Sequence, residues 1–260
     1  MAITRVLAAA LAVLISTPGA VAAAAPGDEL QAIAARGRAL YAYDIAAAKA
    51  SDSVVALKPD VSKMGVFVGR QTQSGWTFDF GKLSDDGNAF LTAYRAVQSV
   101  GDQAFSATEN APPMIDSDFD ASAARAIALA RADFGPWTRP YNYAVIPRDH
   151  DSMYVYLYPA QTGKLHPLGG DVRYLISADG RKMLENHRMH KAILEIPMPE
   201  REGLTLTGSV HNDLFSNVPE DTDVFHVLIR RPLLPDFVSA GGRMFLIKTD
   251  GSIEDKGAAR

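Results

Sequence analysis

The histidines are the residues from which chemistry is most readily argued. All six (His150, His166, His187, His190, His211 and His226) fall in one stretch, and none precedes His150. Imidazole is a frequent metal ligand and the usual general base near neutral pH, so a compact fold over this stretch would bring several together. The richest segment is residues 209–226, SVHNDLFSNVPEDTDVFH. His211 ends a polar stripe that it shares with Thr205, Thr207 and Ser209 on one side of a strand. Asp213 follows, and Glu220, Asp221 and Asp223 come just ahead of the apolar run VFHVLI. An imidazole and a carboxylate at a strand end, facing carboxylates at the start of the next element, can hold a divalent ion. The expected ligands are His211, Asp213 and Asp223, with Zn²⁺ as the ion and His226 or His187 as further partners. Glu220 or Glu185 would serve as the base that takes a proton from water.

Two further patterns carry chemistry. His187 and His190, in ENHRMH, have the i, i+3 spacing that would share a helix face. The segment follows an Asp179-Gly180 turn and reads as a strand, where positions three apart point to opposite faces. In MYVYLY, Tyr154, Tyr156 and Tyr158 alternate with Val155 and Leu157. Three rings with polar tips on one side of a strand form a candidate surface for stacking a ligand such as a sugar or peptide.

Residues 211–223 invite comparison with the JAB/MPN metalloproteases. That signature is a His-x-His pair ending a strand, then a Ser and an Asp opening the next element. His211 matches the first His, Asp213 stands where the second belongs, and Glu220 stands in the serine slot. Asp223 matches the Asp with a loop one residue shorter. The family would need a helix after residue 223, whereas the Val, Ile and Phe content of that run suits a strand. Two of the four positions depart, so the likeness covers about 15 residues and raises only the expectation that His211, Asp213 and Asp223 lie close together.

The chain has no GxSxG elbow, P-loop, SxxK or GxGxxG after a strand, so serine hydrolases, nucleotide enzymes and dinucleotide oxidoreductases gain no support. Zero cysteines remove thiolate catalysis and Cys-ligated metals. A net charge of −4 gives no basic footprint for nucleic acid.

Residues 1–25 have one basic residue, Arg5, an apolar run over 6–15, the breaker Pro18-Gly19 and small residues over 20–25. That order is a cleavable export signal, with cleavage expected after Ala22 or Ala24. The apolar run is too short for a transmembrane anchor, so the expected location is periplasmic or secreted.

Helical spacing over 29–57, with Gly37 as an interruption, predicts one or two helices. Short strands follow at 65–69 and 76–80, then a helix at 88–98. Residues 109–118, with Pro112-Pro113, look like a linker between an N-terminal region (26–110) and a C-terminal domain (117–260). The second half opens with a helix at 120–134. Strands follow at 141–146, 153–158, 172–177, 182–196, 204–211, 223–231 and 243–248. The resulting fold class is α+β: an antiparallel β-meander with a helix packed on one face in the C-terminal half, and a smaller, helix-rich α+β N-terminal half.

Two functional readings follow. The favoured one is a non-catalytic exported module that binds an envelope component or another protein. The alternative is a metal-dependent hydrolase-like site on His211, Asp213 and Asp223.

Overall fold

A computed structural model describes residues 26–99, 101, 103–163, 165–195 and 207–259. The expected export signal lies outside the described residues, as do residues 204–206 and 196 of two expected strands.

The chain is α+β, and its first two thirds repeat one plan: a helix followed by a four-stranded antiparallel meander. Helix α1 (Pro26–Val55) leads into β1 (Val66–Thr72), β2 (Gly75–Leu83), β3 (Phe90–Gln98) and β4 (Phe105–Asp116). Helix α2 (Phe119–Phe134) leads into β5 (Tyr141–Pro147), β6 (Ser152–Pro159), β7 (Val172–Ser177) and β8 (Met183–Arg188). The third part is β9 (Ser209–Asn212), α3 (Asp221–Ile229), β10 (Asp236–Ala240), β11 (Arg243–Ile247) and β12 (Ile253–Ala258). Its sheet has the order β12-β11-β10-β9. The β9–β10 pair is parallel, so its connection must cross over the sheet, and α3 is that crossover.

Strand periodicity decides what each face of the second sheet meets. Met153, Val155 and Leu157 of β6 pack with Ile127 and the alanines of α2. Tyr156 and Tyr158 point the other way, against Leu40, Tyr43 and Ala47 of α1. Helix α1 continues beyond that sheet, and its Leu30 and Ile33 join Val224 and Val227 of α3 over Val238, Phe245 and Ile247 of the third sheet. Gly37 does not interrupt α1. It is the point at which α3 crosses: a Cβ there would lie 2.5 Å from both the Asp221 carbonyl oxygen and the Val224 Cβ.

Three expectations are corrected. Residues 90–98 form β3, not a helix. A bulge at Thr92/Tyr94 shifts the side-chain phase, so Phe90 faces the α2 core while Tyr94 and Ala96 face α1, and the blurred alternation imitates helical spacing. Residues 109–116 are not a linker but the paired end of β4, where Met114 and Ile115 sit opposite Thr92 and Leu91. Finally, residues 221–229 form a helix, not a strand. The Asp223 side chain accepts the Glu220 N–H at 2.8 Å, which fixes the first turn and overrides the β-branched content of the run.

Candidate metal centre

The site lies where the ends of β7 and β8 meet β9, β10 and the first turn of α3. His211 is on β9. The parallel register sets Ser209 opposite Asp236 and His211 opposite Val238, so His211 and Asp236 lie on the same inward face. Asp236 binds both polar neighbours: Oδ1 accepts from Ser209 Oγ at 2.8 Å, and Oδ2 is 3.2 Å from His211 Nδ1. The other ring nitrogen of His211, Nε2, is 3.0 Å from Asp223 Oδ1.

His190 mirrors this arrangement from the other side. It follows β8, and its Nδ1 is 2.8 Å from Oδ1 of Asp171, the residue just before β7. Its Nε2 lies 3.0 Å from the same oxygen, Asp223 Oδ1. That approach has the distance of an ion pair but not hydrogen-bond geometry, and His190 Nε2 has no hydrogen-bond partner among the described residues. The result is a chain, Asp171–His190–Asp223–His211–Asp236, whose side chains are at most 8% exposed.

One ring nitrogen from each of His190 and His211 and a carboxylate oxygen of Asp223 lie within 4.8 Å of one another, and both Nε2 atoms are 3.0 Å from Asp223 Oδ1. Around a tetrahedral Zn²⁺, with bonds of ~2.0–2.1 Å, two ligand atoms stand roughly 3.4 Å apart. The 3.0 Å separations therefore need to open by only a few tenths of an ångström. Metal-bound histidines commonly donate their second N–H to a carboxylate, which fixes tautomer and ring orientation. Asp171 and Asp236 occupy those positions. The donor set fits a divalent ion.

The electrostatics agree with a site built for a cation. Burial opposes charge on His190, but Asp171 and Asp223 outweigh it and raise the imidazole to about 12. Burial also lowers His211, and hydrogen bonds to Asp223 and Asp236 reverse this and raise it to about 9. Asp223, despite burial, is held well below the usual carboxylate range by the same two imidazoles. Without an ion, protons stand in for it.

Of the expected ligands, His211 and Asp223 come together. Asp213 adjoins the site without joining the ligand set: its Oδ1 accepts from the Phe215 and Ser216 amides, while its buried Oδ2 has no partner among the described residues. Burial raises the Asp213 carboxyl, and the charge on His190 opposes the shift. Glu220 is buried, with both carboxylate oxygens 3.0 Å from His187 Nε2. Burial raises Glu220, and His187 counters it. His226 is pushed down to about 4 by burial and by Arg230, and it is not among the ligands. Glu185 is exposed on β8.

Sequence reasoning missed His190, Asp171 and Asp236. The strand argument kept His190 apart from His187, and these two indeed take different partners. But β8 ends at Arg188, so strand alternation says nothing about residue 190. Nor is the tyrosine stripe an open face. Tyr156 and Tyr158 are buried and Tyr154 is half-buried. Tyr156 donates to Asp221 and Tyr158 to Asp44.

No family model, curated protein or solved structure matches the chain.

Proposed function

We propose that this protein is a metal-dependent hydrolase whose ion, Zn²⁺ or a close equivalent, is held by His190 Nε2, His211 Nε2 and Asp223 Oδ1. One observation carries the reading: both imidazoles are clamped through Nδ1 by a carboxylate while both Nε2 atoms converge on one oxygen. Three protein ligands favour catalysis over scaffolding, because structural zinc sites are closed by four and catalytic ones leave a position for water. The two matching positions of the JAB/MPN comparison, a strand-ending His and an Asp opening a helix, support it. Here the second imidazole comes from residue 190 rather than residue 213.

A bound divalent ion would lower the pKa of water to near neutrality and polarise a substrate carbonyl. The protein's own residues supply the rest. Asp171 and Asp236 hold the two rings in the tautomer that offers Nε2. The Glu220 amide holds Asp223 through Oδ2, leaving Oδ1 to face the rings. Glu220, whose amide binds Asp223 and whose carboxylate pairs with the part-exposed His187, is the candidate proton acceptor. The exposed Leu214 and Phe215 form an apolar shoulder next to Asp213. Residues 1–25 add that the enzyme acts outside the cytoplasm, for which intact mass should show cleavage after Ala22 or Ala24.

The test is elemental analysis of purified protein together with a hydrolysis screen before and after chelation. About one divalent ion per chain is expected, with none retained by His190→Ala or His211→Ala and full retention by His150→Ala. Activity should vanish on chelation and return with Zn²⁺. Protein that takes up no Zn²⁺, Mn²⁺ or Ni²⁺ would overturn the proposal.

A further inference from the structure

A second pocket lies at the Tyr158 end of the tyrosine stripe, and none of the five residues of the candidate metal centre lines it. A cavity of about 180 Å³ is bounded by Asp44 of α1, Asn142 of β5, Tyr158 of β6, Phe225 of α3, and by Gln161 and His166. At ~30 Å³ per molecule it has room for roughly six waters. The Asp44 carboxyl lines it and accepts a 2.6 Å hydrogen bond from the Tyr158 hydroxyl, a neutral donor. Asp44 is half-buried, and among the described residues no Lys, Arg or His forms an ion pair with it. Partial burial pushes the carboxyl upward, against the Tyr158 hydrogen bond.

We infer that this cavity binds a primary ammonium group on a short aliphatic chain, with Asp44 as its counter-ion. Three features fit that chemistry. The carboxylate is held by the Tyr158 hydroxyl, so less side-chain entropy is lost when a cation arrives. The wall is aromatic: Tyr158 and Phe225 meet edge to face at 5.1 Å, and an ammonium near such rings is attracted by their π faces. Ile229 completes an apolar side for the methylenes, while Gln161 stands at the exposed rim. The volume admits a free small amine or the end of a lysine side chain.

The experiment is an NMR titration of the full-length protein with n-butylamine (as butylammonium), Nα-acetyl-lysine amide and the neutral control 1-butanol. The two amines should give saturable shifts that 1-butanol does not. Asp44→Asn should weaken amine binding by roughly tenfold or more, the worth of a charge-assisted hydrogen bond. Ala160→Phe, which fills the cavity without touching Asp44, should do the same, so a misfolded Asp44 variant cannot decide the outcome. His211→Ala should leave amine binding unchanged, separating this site from the metal centre. Tighter binding of acetyl-lysine amide than butylamine supports a chain-borne lysine as the ligand, and the reverse supports a free amine. Equal shifts from 1-butanol, no saturable binding, or unchanged amine binding in a folded Asp44→Asn protein would overturn the inference.

Discussion

Each imidazole in the centre has two nitrogens with different duties, and the outer carboxylates assign them. Asp236→Asn and Asp171→Asn preserve size but weaken the acceptor that holds Nδ1–H. They should lower Zn²⁺ affinity by ~10–100-fold while leaving the far-ultraviolet circular dichroism unchanged, as competition against a chelating dye would measure. The pH dependence follows from His211. Its ring titrates near 6.5 in the unfolded chain and near about 9 in the folded, ion-free protein. A folded value above the unfolded one stabilises fully below pH 6.5, and that contribution is lost as pH rises through about 9. The melting temperature of chelated protein should therefore fall between pH 6.5 and 9. Zn²⁺-loaded protein should lack this component, because its ligand rings carry no proton at Nε2. A chelated protein whose melting temperature rises over that interval would contradict the assignment.

At the scale of elements, Gly37 determines how near α3 can lie to α1. Alanine at this position would gain ~1 kcal/mol of helix propensity in an open helix. Here its Cβ would meet backbone and the Val224 side chain at 2.5 Å, and overpacking of this kind costs ~1–3 kcal/mol. Gly37→Ala should thus be net destabilising in urea denaturation, and Gly37→Val more so. Because the displaced helix carries Asp223, Zn²⁺ affinity should fall as well.

This crossing also shows what the sequence could and could not disclose. The α+β class, α2, β5, β6 and β7 are legible because each has a clear period and clear stops. The continuity of α1 was hidden because a glycine reads as a helix breaker when its packing partner is 184 positions away, at Asp221. Helix α3 was hidden because its first turn is fixed by the Asp223 side chain while Val224, Phe225, Val227 and Ile229 favour a strand. His211 and Asp223 could be found from one local segment. His190 and Asp171 lie on connections and Asp236 opens β10, and only the tertiary fold brings the three together.

Over the whole molecule, Asp221 links three layers. It is fully buried and accepts from Arg36 of α1 at 2.9 Å, from Tyr156 of β6 at 2.9 Å, and from Arg173 of β7. Removing one partner of a buried ion pair costs ~3–5 kcal/mol. Arg36 is about one quarter exposed and can regain water, so Asp221→Asn should fall toward the lower end of that range in denaturant melts. It should also loosen α3 and so weaken ion binding. Arg36→Lys should cost less, since one cation is kept at the carboxylate.

The most direct measurement is anomalous diffraction at the zinc edge from crystals grown with Zn²⁺. A single peak ~2.0–2.2 Å from His190 Nε2, His211 Nε2 and an Asp223 oxygen, with Asp171 and Asp236 still on the Nδ1 atoms, is the expected result. Crystals grown with Zn²⁺ that show no peak there, with Asp223 still bridging the two rings, would contradict the account.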